Sequence, residues 1–308
     1  MNQSSNWDVV VVGAGPAGLT AALYMARYHR RVLVVHDAKS RALRIPLTHN
    51  APGFPDGVNG MDLIQRMSGH AEKYGAELRE AFIEDIKSTD GAFSLITDRG
   101  EAIKSRSVIL ATGIFLNEVD LPHDVHEQAI KDDILRYCPI CDGYEHTDNR
   151  IGVLGCDSNG AAEALFLRRY SDRITLMPLD HPELSSSEKA QLEEAGIEVA
   201  KGALVELIPH KDRMEVRLEG QEAASFDVVY PALGCSPRVE LGQAVGLTLT
   251  ESGCLQPETV TAGPIEGIWA AGDVVEGLDQ ISVAMGHGAL AATKAHNWLR
   301  DKDNETLK

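Results

Sequence analysis

Cys138 and Cys141 stand two residues apart in the stretch RYCPICDGYE and are followed at once by Asp142 and Gly143. This spacing suits three chemistries: metal ligation, a covalent staple, or reversible dithiol–disulfide exchange. A structural zinc takes four ligands, usually from a second pair. The other cysteines, Cys156, Cys235 and Cys254, are scattered singly, so no metal site is expected and they read as small buried residues. A permanent staple across so short a loop restrains little of the unfolded chain. A working redox pair remains. Asp142 beside it could move protons or could simply cap the following turn. A redox pair also needs a source or sink of electrons elsewhere in the chain.

Gly13-Ala14-Gly15-Pro16-Ala17-Gly18 supplies a place for one. It fits G-x-G-x-x-G, with the β-branched run 9–12 before it and helical spacing over 19–28 after it. In this motif the first glycine makes the tight turn, the second lets backbone approach a pyrophosphate, and the third packs helix on strand. The pyrophosphate then sits at the positive helix N-terminus. An acid that holds a ribose hydroxyl is expected ~20 residues on; Asp37 follows Gly18 by 19 residues at the end of the next apolar strand, 32–35. The segment is a dinucleotide site.

The elements that must position these groups alternate strand and helix. Residues 150–177 repeat the strand–turn–helix–strand order of the first segment, and 107–114, 227–238 and 267–277 read as strands running into glycine turns. Residues 281–299 are Ala-rich and helical in pattern. An internal repeat of this kind implies two nucleotide-binding-type α/β modules. Ala111-Thr112-Gly113 and Gly272-Asp273 resemble the ATG and GD segments of flavoprotein reductases with two dinucleotide domains, where the GD acid binds the ribityl chain of FAD.

Four further stretches carry a closer resemblance: HNAPGFPDGVNG at 49–60, CPICDGYE at 138–145, GVLG with AAEAL within 152–165, and GDVVEGLDQISVAMGHGALAA from 272. Together they resemble the thioredoxin reductase family of low-molecular-weight flavoproteins over essentially the whole chain. The resemblance implies an α/β fold of two Rossmann-like, three-layer ββα dinucleotide-binding domains, the second inserted in the first. The FAD domain is expected at 1–116 plus 243–308 and the inserted domain, with the cysteine pair, at 117–242; hinges are expected at 115–122 and 240–246. It implies an enzyme, a homodimeric flavoprotein oxidoreductase acting on a disulfide or dithiol. Cys141 would face the flavin, Cys138 would exchange with the partner, and Asp142 would move protons. Asn50 would face the flavin, and Gln280, Ile281 and Ser282 would lie near its pyrimidine end, where DQIS replaces the family's RQA. His146, His287 and His296 read as structural, and Tyr144 as packing beside the pair.

The second module departs from the family pattern. Where a family NADPH site has G-x-G-x-x-A, this chain reads Gly155-Cys156-Asp157-Ser158-Asn159-Gly160. A carboxylate ~4 Å from a phosphate repels it by about 4 kcal/mol at an effective dielectric of 20, which is about a thousandfold in affinity. Residues 178–183 also lack the arginines that would hold a 2′-phosphate, while Asp180 would suit a free ribose hydroxyl, as in NADH or a second FAD, with Asp157 opposing the pyrophosphate of either. Ordinary NADPH use is therefore not expected. The family's ferredoxin-fed, second-flavin and dithiol-oxidase members fit better; a conventional NADPH-dependent thioredoxin reductase and, from another class, a non-catalytic flavin redox sensor are the alternatives.

Composition bounds the partners. The formal charge of −17 disfavours nucleic acid and acidic membrane surfaces, since phosphate contacts need clustered Lys and Arg. No apolar run approaches the ~18 residues of a membrane span, and the first seven residues do not read as a signal peptide. Five cysteines, an odd count, point to a reducing, cytoplasmic setting. The expected partner is a thioredoxin-like protein or a small dithiol or disulfide, with ferredoxin as a candidate donor.

Overall fold

The computed structural model describes residues 7–89 and 91–306; most of the N-terminal stretch read for a signal peptide lies outside them. The chain forms two compact units. Of the described residues, one holds 7–47, 51–115 and 236–306; the other holds Thr48–Asn50 and Leu116–Cys235.

In the first unit, parallel strands run in the order Glu77–Glu80, Val32–His36, Trp7–Val12 and Ala102–Leu110. The long strand Ala102–Leu110 serves two neighbours beyond Trp7–Val12. Its first half pairs antiparallel with Ala92–Thr97, and its last three residues pair parallel with Ile268–Ala270. Successive side chains on a strand face opposite ways, and here both faces are covered. Val9, Val11, Val32, Val34 and Ile109 pack with the helices Pro16–Arg27 and Ile281–Lys302. Val10, Val12, Leu33, Val35 and Leu110 pack instead with Ile83, Ile86, Phe93 and Leu95 of the antiparallel strands. That division produces the three ββα layers. The two helices approach so closely that a Cβ on Gly288 would lie 2.2 Å from the Ala17 carbonyl oxygen.

The second unit repeats the plan on a smaller scale. Glu198–Val199, Ile174–Met177, Ile151–Leu154 and Val228–Pro231 form a parallel sheet. One face packs with Ala161, Ala164 and Leu167 of the helix Ser158–Leu167. The other packs with Leu207, Met214, Val216 and Phe226 of a three-stranded antiparallel sheet.

The return crossing lies at 235/236 rather than 242/243. The cause is local: Arg238 N–H donates to the Gly113 carbonyl at 3.0 Å, and the Thr112 hydroxyl donates to the Arg238 carbonyl at 2.7 Å. These bonds tie the segment to the ATG turn. The hinge expected at 240–246 is instead largely helix, Glu240–Ala244. Among the described residues no helix is long and apolar enough to cross a membrane, and no three His, Cys, Asp or Glu side chains are grouped to hold a metal.

Candidate active site

The cysteine pair belongs to the second unit. Cys138 and Cys141 are joined as a disulfide. Cys138 is the extended residue before the short helix Pro139–Asp142, with Pro139 at its first position, where the missing N–H is no loss. Ile140, between the two cysteines in sequence, is 47% exposed and Tyr144 is 77% exposed. Tyr144 therefore projects outward instead of packing beside the pair, because the chain turns at the end of that short helix.

Asp142 points the other way. It is buried, as are Arg136 and Tyr230. Its Oδ2 accepts from Arg136 Nε at 2.5 Å and its Oδ1 accepts from the Tyr230 hydroxyl at 2.6 Å. Burial pushes its carboxyl above the usual range, against the pull of Arg136 and Tyr230; burial and the Asp142 charge push the Tyr230 hydroxyl up as well. Arg136 also reaches Asp133 at 3.3 Å, and the buried His146 ring meets Tyr230 edge-on. Asp142 is thus no cap; it is the hub of an internal ion pair behind the disulfide.

The segment Thr48–Asn50 belongs to the same unit. Asn50 does not line the cofactor cleft described below. Its Oδ1 accepts from the Thr48 hydroxyl at 2.9 Å, and its amide reaches the Ile140 carbonyl at 3.4 Å. Next to it, His49 Nδ1 lies 3.0 Å from Glu145 Oε1.

The first unit holds a cleft of about 210 Å³. Gly13, Gly15, Pro16, Ala17, Asp37, Ala111, Thr112, Gly113, Gly272, Asp273, Gln280 and Ile281 line it; Gly18 and Ser282 do not. Gly18 works in the packing, since a Cβ there would lie 1.9 Å from the Gly13 carbonyl oxygen. Gly15 is the N-cap of Pro16–Arg27, and no side chain caps that end. The open helix N-terminus suits the pyrophosphate of FAD, and Asp37 suits its ribose, so these residues fit the cofactor.

Sequence reasoning missed two arginines of the cleft. Arg238 Nη2 bonds Asp37 Oδ2 at 2.7 Å, and the Asp37 Oδ1 accepts from Lys39 N–H. Burial raises the Asp37 carboxyl, but Arg238 and the backbone amide outweigh it and hold it below the ordinary value. Arg41 lies 3.5 Å from Asp273. Burial still pushes the Asp273 carboxyl up, and burial together with the Asp273 charge pushes Asp279 up to about 6.

The second unit's own glycine turn is built differently. Gly155 and Gly160 hold the packing positions, but the N-cap of Ser158–Leu167 is Asp157, whose Oδ1 accepts from Gly160 N–H at 2.9 Å. A turn further on, the buried Oε2 of Glu163 lacks a hydrogen-bond partner. Burial, and then the Asp157 charge, pushes that carboxyl up to about 7. The neighbouring Cys156 is buried and its thiol is pushed up to about 11, again by burial first, which makes it inert. Cys235 is exposed, contrary to its expected burial, because it lies on the short crossing strand Cys235–Pro237; Cys254 is half-buried.

Two ββα nucleotide folds, one with an open helix N-terminus for FAD and one bearing a Cys-x-x-Cys disulfide, define a flavoprotein oxidoreductase that acts on sulfur. More particularly, the chain belongs to the pyridine nucleotide-disulphide oxidoreductase family, whose model matches residues 7–288. The thioredoxin reductase of Streptomyces clavuligerus is 31% identical, over 95% of this chain and 94% of that protein. That of Mycolicibacterium smegmatis is 29% identical, over 96% and 97%. The crystal structure of HlmI is 30% identical, covers 97% of this chain and 94% of its own, and superposes with a TM-score of 0.89.

Proposed function

We propose that this protein is an FAD-dependent dithiol/disulfide oxidoreductase that does not take electrons from NADPH in the ordinary way. The observation that carries the reading is Asp157, which places a carboxylate on the helix N-terminus where the second nucleotide's pyrophosphate would sit. Glu163 adds a second acid to the same helix. Electrons then pass to or from a ferredoxin-type protein, a second flavin or oxygen.

Bound FAD supplies two-electron exchange with the cysteine pair. Cys138 forms the mixed disulfide with a thioredoxin-like protein or a small dithiol, and Cys141 leaves as the thiolate. Asp142, held between Arg136 and Tyr230, is assigned to the internal side of the proton traffic, out of the partner's reach. We extend the reading to a cytoplasmic homodimer; sedimentation of the holoprotein tests the dimer and cell fractionation the location. The second reading, a conventional NADPH-dependent thioredoxin reductase, is favoured by the names of the relatives at 29–31% identity.

Anaerobic titration with NADPH, then NADH, separates the two. The expected result is a flavin that stays oxidised with NADPH but exchanges electrons with a dithiol, and a Cys138→Ser variant that does not. Rapid bleaching by NADPH returns the chain to the conventional reductases. Full dithiol turnover by Cys138→Ser would sink the dithiol mechanism, and no turnover with any donor would favour the non-catalytic redox sensor.

A further inference from the structure

Exchange at the disulfide moves protons as well as electrons. An incoming thiol of ordinary pKa near 8.5 is only about 3% thiolate at pH 7. Asp142 is the acid nearest in sequence, but it is buried and both its oxygens are engaged. His146 is buried as well, with Nδ1 at 3.2 Å from Asn149 and Nε2 at 3.7 Å from Asp133. The His49–Glu145 pair is placed differently. The His49 and Glu145 side chains are 40% and 29% exposed. Glu145 follows Cys141 by four residues, and Asn50, adjacent to His49, reaches the carbonyl of Ile140 between the two half-cystines. His49 therefore stands on a segment fastened to the cysteine turn, partly exposed, with its Nδ1 held by a carboxylate.

We propose that His49, oriented by Glu145, is the acid–base group on the substrate side of the disulfide. The assignment rests on the dithiol exchange proposed above. In the oxidising direction His49 Nε2 takes the proton of a substrate thiol. The resulting thiolate attacks Cys138 Sγ, the Cys138–Cys141 bond breaks, and Cys141 leaves as the thiolate with the electron pair. The second substrate thiol, losing its proton to water, attacks the substrate sulfur of the mixed disulfide. Cys138 is released and takes back the proton from His49. The substrate dithiol has become a disulfide, and the enzyme holds two electrons as one thiol and one thiolate. Reduction of a partner disulfide is the same path reversed. The charged group facing the imidazole from the cysteine segment is Glu145; Asp142 and Arg136 are paired with each other in the interior.

The test uses oxidised holoprotein mixed with dithiothreitol, quenched in acid, alkylated and weighed, so that modified Cys138 and Cys141 are counted directly. Complete ionisation of a 3% thiolate would raise its rate by about thirtyfold at pH 7, so that is the ceiling, and His49→Gln should slow exchange several-fold and by no more than about thirtyfold. The deficit should close above about pH 9, where the dithiol ionises unaided. Glu145→Gln should show a smaller deficit of the same shape, and free imidazole should speed a His49→Ala variant but not the wild type. Melting temperature and flavin content report whether each variant folds. A His49→Gln rate within twofold of wild type at pH 7, or an equal deficit at every pH, overturns the assignment. If NADPH bleaches the wild-type flavin, the electron-donor reading fails and this exchange result stands apart from it.

Discussion

Replacing Asp157 by glycine restores the middle glycine of the second turn without touching its packing. The backbone there is extended, so glycine is accommodated, and exchanging an Asp N-cap for Gly costs only a few tenths of a kcal/mol. The gain is electrostatic. Asp157 holds its carboxylate against Gly160 N–H at 2.9 Å, the place a pyrophosphate would take. Removing a charge ~4 Å from a phosphate removes about 4 kcal/mol of repulsion at an effective dielectric of 20, a gain of about a thousandfold in affinity. The assay is dinucleotide binding followed by fluorescence, with anaerobic flavin reduction on the same sample. Asp157→Gly should bind NADH measurably better than the wild type, and NADH better than NADPH, since residues 178–183 hold no arginine for a 2′-phosphate. Unchanged affinity for both nucleotides in a folded Asp157→Gly protein would refute the reasoning, as would tight NADPH binding by the wild type.

The converse change, Gly15→Asp, should put the same carboxylate on the FAD cradle and lower flavin content on the order of a thousandfold in affinity, read from the absorbance of purified protein at fixed added FAD. Tyr230→Phe leaves a buried Asp142 oxygen without its donor and should cost about 1–3 kcal/mol in urea unfolding; Arg136→Met, which strands the carboxylate, should cost about 3–5 kcal/mol. Glu163 gives a pH signature. Its folded carboxyl is raised from 4.5 to about 7, so the folded state holds more protons and stability falls as pH rises through that window. Glu163→Gln should abolish that slope, worth about 3 kcal/mol at most, in melts compared at pH 5 and above 7.

Local patterns carried much of this molecule. The valine run, the spaced glycines and the Ala-rich helix each state a strand, a turn or a close contact within a few residues, and the fold follows from them. The cysteine pair and Asp142 were legible for the same reason. What was not legible depends on separation along the chain. Arg238 meets Asp37 across 201 residues and Tyr230 meets Asp142 across 88; nothing in either neighbourhood announces the partner. The burial of Asp142 is likewise set by elements distant in the chain, and its own neighbourhood does not announce it or the pairing with Arg136 and Tyr230. Asn50, which the resemblance sets against the flavin, also bonds Thr48 and the Ile140 carbonyl, contacts its own neighbourhood does not announce.

The two glycine turns separate the demands of the fold from those of a ligand. At the first position Gly13 and Gly155 both adopt positive φ, +112° and +120°, which costs other residues. At the last position a Cβ would lie 1.9 Å from a carbonyl oxygen on Gly18 and 1.6 Å on Gly160. Neither position can change without moving helix from strand, whatever is bound. At the middle position a Cβ on Gly15 would meet only Ser40 Oγ, at 3.3 Å, so the fold makes almost no demand there and the ligand makes nearly all of it. A unit released from binding a pyrophosphate is therefore free to change at this one glycine, and an aspartate that caps its own helix is a stabilising replacement. On this argument Gly160→Ala should unfold the second unit's helix–strand contact with or without nucleotide, while Asp157→Gly should leave stability nearly unchanged and alter binding alone. Comparable melting temperatures for the two variants would break the distinction.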